Sequence, residues 1–223
     1  MRAGNFLKKI AFVLSFVFTL FSIGYAIFLN AAVEVPLDKA FYFLTAEGET
    51  VEVCAMDVTK SGGAGFLLKT ENQTKVAVSV YFKEIDALNA KEKNLKNYDN
   101  LSLSVETISK LYIKRDSAKN SAQKIKACFD GLYAHILALD GIITRLEKGG
   151  TQEEIKTILQ TLFSNFKFLS VSSIPLFSRD YARAATYLEE EIFSKGVVTL
   201  SSLRYLTCDL CASFISAANA YSL

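Results

Sequence analysis

The sequence predicts a small α+β domain with a mixed sheet and helix on one face, followed by an all-α domain that forms an antiparallel helical bundle. An N-terminal transmembrane helix is predicted to precede both. Three observations support this division: an uncharged apolar run at residues 10–32, an apolar period of two up to residue 114, and a period near three and a half after it. The predicted segments are therefore 1–35, 36–114 and 115–223.

The apolar run at residues 10–32 is longer than the ~20 residues that a helix needs to cross a bilayer core. Arg2, Lys8 and Lys9 precede it and acidic residues follow it. The positive-inside tendency then places the N-terminus in the cytoplasm and the rest of a single-pass chain outside the cell membrane. A cleaved signal peptide is the alternative, but its apolar region is usually shorter, and Asn30-Ala31-Ala32 fits a cleavage site poorly.

The charge outside the anchor is nearly balanced. The chain carries 25 basic and 23 acidic residues, and three of the basic ones precede the anchor. Because phosphate binding requires a basic excess on one face, no nucleic acid is expected as a partner.

The segment 36–114 is rich in short β-branched and aromatic runs. A turn at 46–49 is interpreted as a hairpin between the first two runs, and glycines at 62–65 form a second turn. Alternating apolar residues from Val76 to Phe82 indicate a half-buried strand. We predict strands at 41–45, 50–58, 66–69, 75–82 and 101–105, and residues 108–113 either extend the last of these or add another strand.

One helix is predicted within this segment, at residues 83–96. Its apolar residues Ile85, Leu88 and Leu95 share one side, and lysines and glutamates occupy the other. We expect the apolar side to cover one face of the sheet.

Four helices are predicted from residue 115 onward. Asp116 is a capable N-cap for the first, which ends at Gly149-Gly150, and Thr151 with Glu154 forms a capping box for the second. The third is predicted at 179–195 and the fourth from about 200 to the C-terminus. Short connections between them predict an antiparallel bundle.

No set of reactive residues forms a catalytic or metal site. His135 is the single histidine and, with Cys54 and Cys128, shows no metal-ligand spacing, so a structural role is predicted for it. No serine lies in a G-x-S-x-G setting. Glu189-Glu190-Glu191 spread around a helix and cannot converge on one substrate. We therefore predict a protein that is not an enzyme and has no cofactor.

Cys208 and Cys211 form the most suggestive motif, a C-x-x-C pair. They lie within a predicted helix, on an apolar stripe with Leu203, Leu206 and Phe214. Packing as two small apolar residues is the favoured interpretation. A disulfide outside the cell is the first alternative, and redox or metal chemistry is the second.

Residues 62–96 resemble the second half of a SPOR domain. The resemblance rests on the strand 63–69, the polar turn after it, the strand 75–82 and the helix start Lys83-Glu84-Ile85-Asp86-Ala87. It implies an extracytoplasmic module that binds peptidoglycan glycan strands, as in bacterial sporulation and cell-division proteins. The sequence departs from the family because residues 55–65 leave little room for the helix of the first half.

A sheet face that no helix covers is the predicted glycan site. Ser79 and Tyr81 would donate hydrogen bonds there, and Phe66 would lie nearby. The alternative is that these residues form an ordinary sheet surface or lie beneath the bundle. The expected function is wall binding by an anchored envelope protein. The competing hypothesis is an envelope scaffold in which the helical bundle binds a protein partner and the small domain is a spacer.

Overall fold

The computed structural model describes residues 32–69, 73–94, 97–98, 100–114, 122–171 and 176–222. Within this described part the chain has an α+β fold with one four-stranded antiparallel sheet and six α-helices. The predicted anchor at 10–32 lies outside the described residues, apart from Ala32, which begins the first strand.

The strands and helices alternate in the first half of the chain, and helices follow in the second. The strands are β1 (Ala32–Ala46), β2 (Phe66–Lys69), β3 (Thr74–Tyr81) and β4 (Ser102–Lys114). The helices are α1 (Val51–Lys60), α2 (Glu84–Asn94), α3 (Ala122–Glu147), α4 (Gln152–Ser170), α5 (Ser178–Tyr187) and α6 (Leu200–Asn219). A π-helical segment, Leu188–Phe193, continues α5. The four helices predicted after residue 115 are thus confirmed.

The sheet has the strand order β2-β3-β1-β4, and every neighbouring pair is antiparallel, so the prediction of a mixed sheet is wrong. With α1 after β1 and α2 after β3, this is a split βαβ arrangement. β1 is a central strand that pairs with β4 from Ala32 opposite Lys114 to Thr45 opposite Ser102. It is therefore much longer than the predicted strand at 41–45.

The predicted strand at 50–58 is wrong, because this segment is helix α1. The Thr50 hydroxyl accepts a hydrogen bond from the Val53 amide at 3.3 Å and caps the helix. Cys54 and Val58, four residues apart, are buried on one side. The local β-branched residues suggested a strand, whereas the cap and the helical spacing decided the structure. The predicted hairpin turn at 46–49 instead joins β1 to α1.

Helix α2 confirms the predicted helix at 83–96 in its described part, but the predicted apolar side is wrong. Ile85 and Leu88 are 60% and 41% exposed, and Leu95 lies outside the described residues. The side turned inward carries Ala87, which is fully buried, and Ala90, which is partly buried. Small side chains let the helix approach the sheet closely, so the larger ones remain outside.

Both faces of the sheet are covered. One face, the α1 face, packs Leu44, Val76 and Val78 against Cys54 and Val58 of α1. The opposite face, the bundle face, packs against α3 and α6. Phe41 lies at its centre and contacts the rings of Phe82, Tyr133 and Phe214 at centroid distances of 6.1, 6.0 and 5.3 Å.

The predicted segments 36–114 and 115–223 share one core. A continuous cluster of buried apolar side chains runs from Val35 and Phe41 on β1 through Leu132 on α3 to Leu210 on α6. α3 is the one described helix that is long and apolar enough to cross a membrane, by length and composition. In this fold it contributes seven buried side chains to the core.

Arg204 links the helices to the sheet domain at the edge of this core. Its Nη1 donates to the Gly62 carbonyl at 2.7 Å, and its Nη2 donates to the Glu147 carboxylate at 2.5 Å. The Arg204 side chain is only 15% exposed. A well-buried guanidinium with both partners in place is expected to contribute measurably to stability, because removing it leaves a carbonyl and a carboxylate without their donor.

His135 is held among aromatic side chains at the other side of the helices. Its Nδ1 lies 3.2 Å from the Tyr181 hydroxyl, and its ring meets those of Phe166 and Tyr181 at 5.4 and 5.5 Å. Burial lowers the pKa of His135, although a hydrogen bond with the Gly131 backbone opposes this. The predicted structural role of His135 agrees with this packing.

Replacing Arg204 by Met should lower the free energy of unfolding by about 1–3 kcal/mol, since the aliphatic length stays and two charge-assisted hydrogen bonds are lost. Urea titration of the full chain in a non-ionic detergent, followed by circular dichroism, measures this. The matched control is Arg145→Met, because Arg145 meets Glu154 at 3.6 Å with both side chains more than half exposed. The control should cost at most about 1 kcal/mol. Equal losses in the two variants would contradict the role given to Arg204.

The lowered pKa of His135 predicts a specific pH dependence of stability. The unfolded chain binds a proton at the ordinary pKa of about 6.5, whereas the folded chain resists protonation to a lower pH. The free energy of unfolding should therefore fall as the pH drops from 7.5 to 5, by at most about 1.4 kcal/mol per unit from this residue. His135→Gln should remove that part of the slope in denaturation curves measured across the range. Parallel curves for the two proteins would show that His135 is not buried as described.

Candidate functional site

The three predicted ligand-binding residues do not lie on one surface. Ser79 pairs with Leu44, so it belongs to the α1 face, and Tyr81 pairs with Tyr42 on the same side. Phe66 pairs with Ala77, which belongs to the bundle face. Ser79 is 4% exposed, beneath the covering helices. The expected uncovered sheet face is not found in the described part of the chain.

A β-bulge in β3 explains why Ser79 and Phe66 separate. The register shifts between Leu44, opposite Ser79, and Thr45, opposite Ala77, so Val78 has no partner in β1. An extra residue in one strand reverses which side chains face each side beyond it. Simple alternation along the sequence could not reveal this shift.

Phe66 lines a groove of about 740 Å³ with the end of α6, and its ring also contacts Tyr205 of a neighbouring groove between the sheet domain and the helices. This Tyr205 groove has a volume of about 560 Å³. It lies between the end of α1, the glycine turn after it, the π-helical segment and the start of α6. Its lining includes Thr59, Lys60, Tyr187, Lys195, Ser201 and Tyr205.

Two tyrosines form the aromatic wall of the Tyr205 groove. The rings of Tyr187 and Tyr205 are stacked, with centroids 5.3 Å apart and planes 13° apart. The ring of Phe66 meets Tyr205 edge-on at 5.5 Å and supports it from the sheet side. Tyr205 is 36% exposed. Burial is the main cause that raises the pKa of both tyrosines, so their hydroxyls stay protonated and able to donate at neutral pH.

The rest of the Tyr205 groove is rich in hydroxyl groups. Thr199 caps α6 by accepting a hydrogen bond from the Ser202 amide at 3.1 Å, which fixes the neighbouring serines in place. Lys195 pairs with Glu191, so the charges on that wall are balanced. On the opposite wall Gly65 has a φ of +63°, and a Cβ there would meet the Thr59 hydroxyl at 2.1 Å. An aromatic plane flanked by hydroxyls suits an uncharged, polyhydroxylated ligand.

A second groove of about 780 Å³ contains Tyr81. This Tyr81 groove lies between α2, the C-terminal end of α3 and the start of α6. Its lining includes Asp86, Asn89, Glu147 and Arg204. Burial raises the pKa of Tyr81, while the charge of Arg204 and a hydrogen bond with Ser79 oppose the rise. The groove offers many hydrogen-bonding groups, but its only aromatic ring among the described residues is that of Tyr81.

The half-buried carboxyl group of Asp140 lies close to two carboxylates of the Tyr81 groove. Burial raises the pKa of Asp140, and the charges of Glu147 and Asp86 raise it further. The described residues contain no group of three His, Cys, Asp or Glu side chains arranged to hold a metal ion. Of these three carboxylates, Glu147 accepts a hydrogen bond from Arg204 Nη2 at 2.5 Å.

Cys208 and Cys211 pack as two apolar side chains. Both are fully buried in the main core, and neither forms a disulfide. Burial raises the pKa of both thiols, with a further contribution from Cys208 on Cys211, so they remain protonated and unreactive. The favoured interpretation of this motif, packing as two small apolar residues, is therefore confirmed.

Tyr187 and Tyr205 are the candidate site residues that the sequence pattern did not identify. Tyr205 lies on a helix whose apolar stripe indicated packing only, and tertiary structure brings it against Tyr187. The one local sequence signal for this site is the pair Ser201-Ser202 at the start of the helix that carries Tyr205. No protein-family model, curated protein or solved structure matches this chain, so a function has to be assigned from the chemistry of the two grooves.

Proposed function

We propose that this chain is a non-enzymatic envelope protein of the bacterial cell membrane that binds peptidoglycan glycan strands in sporulation or cell division. Residues 10–32 anchor it as a single span, with the N-terminus in the cytoplasm and the rest outside. The SPOR-like module is the α+β part up to residue 114, and the helices after it form an antiparallel bundle. The Tyr205 groove is the proposed glycan site.

The order of strands and helices supports the SPOR-like assignment. The sequence left little room for a helix between the first two strands, and α1 occupies that place. The module therefore has two strand-helix-strand halves around one antiparallel sheet. Because one fold serves many functions, this likeness supports the module type and leaves the ligand to the site itself.

The observation that carries the proposed ligand is the exposed ring of Tyr205, stacked on Tyr187 and supported by Phe66. Sugar rings have an apolar face that packs on an aromatic plane and an edge of hydroxyl groups that hydrogen-bond. Ser201 and Thr59 line the same groove and supply hydroxyl partners for that edge. The balanced charges of Lys195 and Glu191 fit a glycan strand better than a polyanion.

The Tyr205 groove, and not an open face of the sheet, is the proposed glycan site. Since α3 and α6 cover the bundle face, a strand of sugars could reach only the rim where module and helices meet. Phe66 acts there by holding Tyr205. Tyr81 lines the Tyr81 groove, where it would contact a longer strand. Ser79 is 4% exposed and takes no part in the proposed site.

Binding should depend on Tyr205. Full-length protein in detergent should pellet with purified sacculi, and Tyr205→Ala should weaken the binding about tenfold, equivalent to about 1.4 kcal/mol of lost stacking. Tyr205→Phe, which keeps the ring, should retain most of the affinity. Phe168→Ala is the matched control, because Phe168 is a 73% exposed aromatic residue that does not line the groove.

Three outcomes would contradict the proposal. Failure of the wild-type protein to pellet with both intact and amidase-treated sacculi would exclude wall binding and favour the scaffold hypothesis, in which the bundle binds a protein partner. Equal binding by Tyr205→Ala and Phe168→Ala would remove the Tyr205 groove as the site. Release of soluble sugar fragments during the incubation would show that the protein is an enzyme.

A further inference from the structure

An apolar pocket of about 260 Å³ lies among the helices of the second half of the chain. It is formed by the first half of α3, the end of α4 and the start of α5. The described residues on its lining include Cys128, Gly131, His135, Leu169, Phe177 and Tyr181. Because an apolar cavity of about 150 Å³ is already large enough to hold benzene, this pocket has room for a small organic molecule.

Aromatic rings dominate the wall of this pocket. The rings of His135 and Tyr181 have their centroids 5.5 Å apart and their planes 85° apart. The ring of Phe177 is held by the fully buried ring of Phe129, with centroids 5.1 Å apart and planes at 90°. Edge-to-face pairs of this kind gain energy beyond the area that they bury. Since the wall presents faces and edges of fixed rings, its chemistry favours an aromatic ligand over an alkyl chain.

The described wall offers no charge that would select an ionised ligand. Lys124 is the one charged residue on the described lining, and it already interacts with another group. Burial lowers the pKa of His135 and raises the pKa of Tyr181 and of Cys128, so all three side chains are predominantly uncharged at neutral pH. An ionised ligand would lose its hydration in such a pocket without gaining a counter-charge. The ligand is therefore expected to be uncharged.

The Tyr181 hydroxyl provides one polar group for the orientation of a ligand. It lies 3.2 Å from Nδ1 of His135. If the hydroxyl donates to Nδ1, its oxygen keeps both lone pairs, and if Nδ1 donates to the hydroxyl, one lone pair remains. For either tautomer of His135, the Tyr181 oxygen can therefore accept a hydrogen bond from an N–H or O–H group of a ligand.

We propose that this pocket binds a small, uncharged aromatic compound with one hydrogen-bond donor, the class represented by indole and phenol. The ring packs against His135 and Phe177, and the donor bonds to the Tyr181 hydroxyl. The pocket and the Tyr205 groove share no lining residue within the described part of the chain. Neither binding proposal depends on the other.

The composition of the chain makes indole a selective probe for this site. The chain contains no tryptophan, so the emission of indole excited above the tyrosine absorption has no background from the protein. The full-length protein in a non-ionic detergent is titrated into indole, the fluorescence anisotropy is followed, and detergent alone gives the partition background. We expect a saturable rise in anisotropy above that background.

A glycine in the pocket wall provides the matched pair of variants. A Cβ on Gly131 would meet no atom within 4 Å, so Gly131→Leu can fill the pocket without a backbone clash and should weaken indole binding at least about tenfold. Gly141 lies on the same helix, is equally unobstructed and does not line the pocket. Since both changes replace a mid-helix glycine by a good helix former, Gly141→Leu should bind indole like the wild-type protein.

Competition on the wild-type protein tests the ligand class without any substitution. Phenol and 1-hexanol both have six carbons and one hydroxyl group, and we expect phenol to displace indole at the lower concentration. Benzofuran has the shape of indole but lacks its N–H, so it should bind about fivefold more weakly than indole. Tyr181→Phe should remove that difference between indole and benzofuran.

Each part of the proposal has an outcome that overturns it. No saturable binding of indole by the wild-type protein, or equal binding by Gly131→Leu and Gly141→Leu, would remove the pocket as a ligand site. Stronger displacement by 1-hexanol than by phenol would overturn the aromatic class. Equal affinities of the wild-type protein for indole and benzofuran would overturn the hydrogen bond to Tyr181. Pelleting with sacculi is measured separately, so each of these results leaves the glycan proposal unaffected.

Discussion

Burial of the second sheet face against α3 and α6 is the interaction on which the rest of this structure depends. Phe41, at the centre of that face, contacts Tyr133 of α3 and Phe214 of α6, and all three belong to or pack against one continuous core. A split βαβ module with helices on one face leaves its other face apolar. Here the chain's own helices cover that face, so the module and the helices share one core, and the two exposed grooves lie at their junction.

The contact between the sheet module and the helices determines the geometry of the proposed site. Arg204 donates hydrogen bonds to the Gly62 carbonyl and the Glu147 carboxylate, and this fixes the walls of the Tyr205 groove and the Tyr81 groove relative to each other. Its Nε is buried and has no hydrogen-bond partner within the described part of the chain, which reduces the net gain from the contact. Helix α6, which carries Arg204, presents Tyr205 one residue later, so the geometry of the proposed glycan site depends on the contact that docks the helices.

The sequence by itself determined the helices after residue 115, the strands at 66–69 and 75–82, and the glycine turn between the halves of the module, because caps, periodicity and left-handed glycines act over a few residues. Where local preferences competed, at α1 and on the inner side of α2, the sequence reading was wrong, since packing against the sheet outweighed β-branched propensity and side-chain size. Only the tertiary structure decided that both sheet faces are covered. It also decided that the β3 bulge places Ser79 on the α1 face and that the ring of Tyr187 stacks on that of Tyr205. These features depend on contacts between residues far apart in the chain, whose energies no short pattern contains.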